Sequence, residues 1–136
     1  MKTGVLLFRL TAAAIFLQLV LGGLLTYDFI SPTPHIIVGF AVFALAIATM
    51  IFAFVGKPVF RPVRILSIGL VTLIIIQIIL GFATLANGSS VIAWIHFVNA
   101  LAIYGMSVVG IFLAIQWNRI TVVPTVQSAK TSVGQS

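Results

Sequence analysis

The stretch from Val63 to Ala86, VRILSIGLVTLIIIQIILGFATLA, holds one charge, Arg64, and one amide, Gln77; everything else in it is aliphatic, aromatic, small or hydroxyl-bearing. About 20 such residues suffice to cross the hydrocarbon of a bilayer as a helix rising about 1.5 Å per residue. Its hydrophobicity is continuous rather than alternating. A barrel strand would alternate and be about half as long, so the stretch is a transmembrane helix. Three more runs of this kind surround it, and the punctuation between them is helix-breaking: Asp28 to Pro34, Gly56-Lys57-Pro58 with Arg61-Pro62, and Asn87-Gly88-Ser89-Ser90. The sequence therefore predicts an all-α membrane protein, a bundle of four transmembrane helices at about residues 5–27, 35–55, 63–86 and 91–117. Thr33 is expected to cap the second helix with Pro34 in its first turn, and the serines at 89 and 90 to cap the fourth. Residues 1–119 form the domain. Residues 120–136, rich in Ser, Thr, Val and Gln, read as a disordered cytoplasmic tail. The first run is too long for the apolar core of a signal peptide and lacks a small-x-small site after Leu24, so it reads as a retained span.

Composition excludes several classes. Of the 136 residues 62% are hydrophobic and only 6% charged, too few to give a soluble domain a polar surface; the solvent is lipid. The length allows one domain. The net charge of +6 reflects seven basic residues against one carboxylate, Asp28, and makes no nucleic-acid patch, since no polar helix or aromatic platform accompanies it. With no cysteine there is no disulfide, no thiolate metal site and no covalent c-type haem.

Charge also orients the chain. Lys2 and Arg9 lie at the start, Lys57, Arg61 and Arg64 between the second and third runs, and Arg119 and Lys130 after the fourth, while the 28–34 and 87–90 turns have none. The positive-inside rule then places both termini in the cytoplasm of a plasma-membrane protein and both short turns outside.

The two halves repeat. Leu17-Gln18-Leu19-Val20-Leu21-Gly22 matches Ile76-Gln77-Ile78-Ile79-Leu80-Gly81, and each is followed by a short turn and a histidine early in the next helix, His35 and His96. This reads as a duplicated helical hairpin with parallel internal symmetry, which puts the two histidines at similar depth.

A histidine in a span is costly and tends to face the bundle interior. One alone would be read as structural; two at matched depth favour shared ligation. Zinc or non-haem iron wants three or four protein donors, and only Asp28 could supplement the imidazoles. Haem iron needs two axial imidazoles, which a helical bundle provides. Gly39 and Ala100, each four residues after its histidine, lie one turn deeper on the same face and leave space for a flat macrocycle. Phe40, Phe43, Trp94, Phe97 and Tyr104 could wall the pocket or simply pack. Gln18 and Gln77 are either interhelical hydrogen bonds that set register or donors to a histidine or cofactor. Gly22, Gly23 and Gly81 suit close helix packing.

Q-x-x-L-G-G at Gln18–Gly23, Q-x-x-L-G at Gln77–Gly81 and the approach Ser90-Val91-Ile92-Ala93-Trp94-Ile95-His96 resemble the haem A synthase family over about residues 9–117. That family is built of four-helix halves with a histidine pair on the second and fourth helices, so the resemblance implies one half-unit here. It further implies a b-type or modified a-type haem in a membrane tied to respiratory oxidases. The chain departs from the family where a catalytic glutamate and an arginine flank the second-helix histidine: Pro32 and Ile36 stand there, and the outer-loop cysteine pair is missing. Three functions follow as expectations. They are a bis-histidine haem electron-transfer subunit of a respiratory chain or terminal oxidase, an active compact haem A synthase, and a haem-free structural subunit. The expected partners are the lipid bilayer and membrane proteins of a respiratory complex, or further copies of the chain.

Overall fold

The computed structural model describes residues 2–56 and 60–133, with side chains from 3 to 119 outside the 57–59 gap. It is all-helical: α1 Lys2–Thr26, α2 Pro32–Val55, α3 Arg61–Asn87 and α4 Ser90–Val133. Each helix is long and apolar enough to cross a membrane. Among the described residues each helix packs on two neighbours, α1 on α2 and α4, α3 on α2 and α4. The bundle is thus a closed square in which the diagonal helices have no close backbone approach, and α2 and α4 meet through side chains such as Phe52 on Trp117.

The ends follow from local chemistry. At the end of α1 the amides of Phe29 and Asp28 return to the carbonyls of Leu24 and Leu25, with Asp28 in the left-handed region at φ 58°. That is a Schellman stop, and aspartate tolerates the conformation better than most side chains. Gly88 ends α3 in the same way, at φ 60°. The sole carboxylate side chain of the sequence therefore has a structural position in the turn between α1 and α2. Ser89 caps α4 as expected, its Oγ accepting from the Ile92 amide. The second helix begins earlier than the sequence suggests: Ser31, not Thr33, is its cap and Pro32 opens its first turn, with no side-chain cap bond. At the other end Arg64 donates to the Ala53 and Phe54 carbonyls and lies 5.1 Å over the Phe54 ring, closing α2 from α3. The fourth helix continues to Val133, beyond the break expected at Arg119. No glycine follows Arg119 within ten residues, and Pro124 alone does not stop the helix. Positions 134–136 of the expected tail lie outside the described residues.

Buried positions recur at alternating spacings of three and four: Val5, Phe8, Ala12 and Ile15 on α1; Val42, Ala46, Thr49 and Ala53 on α2; Val63, Ser67, Leu70 and Ile74 on α3; Ile103, Ser107, Gly110, Ala114 and Trp117 on α4. This is the seam of a left-handed bundle. The packing is close: a Cβ on Gly110 would collide with Phe8 and come within 2.9 Å of Leu66. The seam stops midway. No residue between 16 and 41 or between 75 and 102 is fully buried.

Two outcomes follow for stability. Gly110→Val should unfold the bundle in detergent at markedly lower temperature, read by circular dichroism. Asp28→Val should cost about 1–2 kcal/mol through its left-handed backbone, and Asp28→Gly should not.

Candidate functional site

Continuing each seam by three or four residues towards the 27–31 and 88–89 turns gives Gln18 and Gly22 on α1, Gly39 and His35 on α2, Gln77 and Gly81 on α3, Ala100 and His96 on α4. The inward-facing positions thus change from apolar filling to polar or very small residues. The result is a chamber of about 630 Å³ in the half of the bundle next to the 27–31 and 88–89 turns, lined by all eight of these residues. The volume lies in the range of ligand pockets.

His35 and His96 come from diagonal helices, and their rings meet across the interior with centroids 6.2 Å apart, inclined at 60°. Each is held by the glutamine of its own hairpin. Gln18 Nε2 donates to the His35 carbonyl at 2.8 Å and lies 3.1 Å from His35 Nε2. Gln77 Nε2 lies 3.1 Å from His96 Nε2, and Gln77 Oε1 accepts from Asn99 Nδ2 at 2.8 Å. Asn99 Nδ2 also donates to the Leu73 carbonyl at 3.1 Å. The two readings of the glutamines, interhelical bond and donor to a histidine, are here the same contact.

The networks assign the protons. Backbone carbonyls only accept, so the His35 and Leu73 carbonyls fix which end of the Gln18 and Asn99 amides bears nitrogen, and Asn99 in turn fixes Gln77. Both glutamines therefore present N–H to imidazole Nε2, which must accept; the ring proton sits on Nδ1. Three buried polar atoms have no partner among the described residues: both Nδ1 atoms and Gln18 Oε1. Buried polar atoms in native proteins are rarely left so.

The glycines serve the rings. A Cβ on Gly22 would stand 3.3 Å from His35 Cε1, and one on Gly81 3.2 Å from His96 Cε1. A Cβ on Gly39 would meet Gln18 Nε2 at 3.0 Å, so that space is used by the glutamine. Ala100 lines the chamber as expected, and Phe40 and Phe97 wall it, but Phe43, Trp94 and Tyr104 do not. Phe43 and Tyr104 pack against the core below, and Trp94 lies 61% exposed. Sequence reasoning passed over Asn99. Its signal was an amide one turn after His96 on the same face of an apolar helix.

No protein-family model, curated protein or solved structure matches the chain.

The donor set suits one group in particular. Among the described residues no three His, Cys, Asp or Glu side chains cluster, so a metal would have two protein ligands. Metal–imidazole bonds of about 2 Å would separate two imidazole centroids on opposite faces of one ion by about 6 Å, close to the separation found. The chamber would admit a flat, largely apolar ligand, and the two unpartnered Nδ1 atoms, which carry the ring protons, would be donors rather than metal ligands. The Nε2 lone pairs are taken by glutamine, so binding through Nε2 requires each amide to withdraw. The fit to a bis-imidazole haem is good in donor number, spacing and space.

Gln77→Leu strands Asn99 and His96 together, whereas Gln18→Leu also removes an oxygen that already lacks a partner. The first should therefore destabilise the bundle more than the second, by about 1 kcal/mol on the scale of intramembrane hydrogen bonds. Reversible unfolding in mixed micelles measures the difference.

Proposed function

We propose that this chain is an integral membrane haem protein of haem A synthase-like type. His35 and His96 would clamp the iron of one b-type or modified a-type haem, and the protein would serve as an electron-transfer subunit of a respiratory chain or terminal oxidase. The observation that carries this reading is a pair of imidazoles with ring centroids 6.2 Å apart, supplied by diagonal helices whose backbones do not approach each other. Space supports it too: the chamber of about 630 Å³, lined mostly by apolar side chains, has the size of a ligand pocket. Once bound, haem would supply one-electron chemistry, and its potential would be tuned by axial ligands and their hydrogen-bond partners. The chain's own residues would do the rest. Gly22, Gly81 and Ala100 leave room, Phe40 and Phe97 exclude water, and the glutamines orient the rings.

Of the two other readings, catalysis as a compact haem A synthase has less support. No acidic side chain lines the chamber, and Pro32 and Ile36, at the places the resemblance assigns to a glutamate and an arginine, form part of its wall. A haem-free structural role has one observation in its favour, because each Gln–His pair already ties its own hairpin together.

The distribution of Lys and Arg supports a plasma-membrane protein with cytoplasmic termini, so that the chamber opens towards the outer side. Partners would be respiratory membrane proteins or further copies of the chain.

The purified protein is expected to show a sharp Soret band that both His35→Ala and His96→Ala abolish. A colourless wild-type protein, or a band indifferent to both changes, would leave only the structural role. Because the chain has no cysteine, Ser89→Cys and Lys130→Cys report orientation directly. An impermeant maleimide should label the first in intact cells and the second only after permeabilisation.

A further inference from the structure

We infer that Asn99 is a positioning residue that makes the two histidines unequal, locking His96 as the imidazole whose Nε2 lone pair is less available to a ligand than that of His35.

The repeat shows where the inequality enters. Counting 61 residues back from Asn99, as from His96 to His35, reaches Val38. The second half therefore has an amide where the first has an aliphatic side chain. In the second half a directed chain runs from Asn99, anchored on the Leu73 carbonyl, through Gln77 to His96. Gln77 accepts at its oxygen while donating from its nitrogen. Such linked bonds strengthen one another in a low-dielectric interior. Asn99 also blocks an amide flip: turned over, Gln77 would set its NH₂ against the Asn99 NH₂. Gln77 can therefore only donate to His96, and His96 can only be the Nδ1–H tautomer.

In the first half the His35 carbonyl orients Gln18, but no described side chain donates to the glutamine oxygen. Gln18 divides its NH₂ between the His35 carbonyl and His35 Nε2, and its oxygen is buried without a partner. When Gln18 turns away from the ring, that oxygen gains the chance of a partner. When Gln77 turns away, it loses one and strands Asn99 as well. A ligand competing for the Nε2 lone pairs displaces Gln18 more readily than Gln77. His35 is then the firm ligand and His96 the exchangeable one. The ligand statement rests on the haem reading; the tautomer statement does not.

Two measurements separate them. The first is the ring-nitrogen NMR spectrum of the full chain, labelled with ¹⁵N-histidine and free of haem, in micelles. Wild type should show a single Nδ1–H tautomer for His96. Asn99→Leu, which keeps the volume and removes the donor, should move His96 towards a mixture of tautomers while His35 stays unchanged. Val38→Asn should leave His35 in the Nδ1–H form that the His35 carbonyl already imposes through Gln18. A His96 spectrum unmoved in Asn99→Leu, or an Nε2–H His96 in wild type, overturns the relay. The second is carbon monoxide binding to the reduced haem-loaded protein, in which the probe replaces the weaker imidazole. Asn99→Leu should weaken carbon monoxide binding about fivefold, the effect of about one neutral hydrogen bond, and Val38→Asn should strengthen it. A normal Soret band with carbon monoxide affinity equal in all three proteins overturns the inequality of the ligands. The expected NMR pattern in a protein that never takes up haem upholds the relay and removes the haem reading alone.

Discussion

An amide buried in a lipid-facing bundle has to find a partner inside the protein, and in each hairpin the glutamine of one helix finds the histidine of the next. Each such bond contributes modestly, about 0.6–2 kcal/mol between membrane helices. Its geometric consequence is larger. The apolar seam elsewhere could slide by a turn with little change in character, because aliphatic side chains at three- and four-residue spacings recur along every helix. A glutamine has one histidine to meet. The pairs therefore fix the register of α1 on α2 and of α3 on α4, and with it the depth of both imidazoles. Because the hairpins then pack as a closed square, the imidazoles become diagonal neighbours although the backbones of α2 and α4 stay apart.

The bundle is closed at one end and hollow at the other. In the inner half, Phe8, Leu70, Val63 and Trp117 fill the seam, and Thr11 and Thr49 pair their hydroxyls across it at 3.2 Å. In the outer half the same seam positions carry glycine, alanine, glutamine and histidine. Protein interiors are packed as densely as organic crystals, so a change from large to small side chains on four helices at one depth is unlike ordinary core variation. The inner half supplies the rigidity, through contacts such as Phe8 on Gly110, that lets the outer half stay open.

Much of this was legible in the sequence. The four spans, the turn at Asn87–Ser90 and the hairpin repeat follow from run length, turn residues and a shared Q-x-x-L-G, all of which act locally. The six residues singled out for the site, Gln18, His35, Gly39, Gln77, His96 and Ala100, line one chamber because the repeat and the helical period place them on common faces. Other features were not legible, for identifiable reasons. The start of α2 at Pro32 rather than Pro34 depended on two prolines competing for the same first turn. Gly22 and Gly81 read as packing glycines, and their service to the rings needed the interhelical register. Gly39 was assigned to a macrocycle's approach, whereas the Gln18 amide uses that space. Asn99 was missed because it has no counterpart in the first half, so a search for repeated features passes over it.

That last omission shows how duplication and function relate in this fold. A perfect repeat would present two identical imidazoles, each backed by an identical glutamine, and nothing would distinguish one side of the chamber from the other. The halves diverge close to the rings: Asn99 against Val38, Ala100 against Gly39, and a second turn region two residues longer. The first of these changes the chemistry, since it decides whether a glutamine oxygen is satisfied, as in Gln77, or bare, as in Gln18. Position is therefore set by what the halves share, and reactivity by where they differ. Symmetry brings two imidazole rings to one depth, and one asparagine gives their glutamines different hydrogen-bond partners.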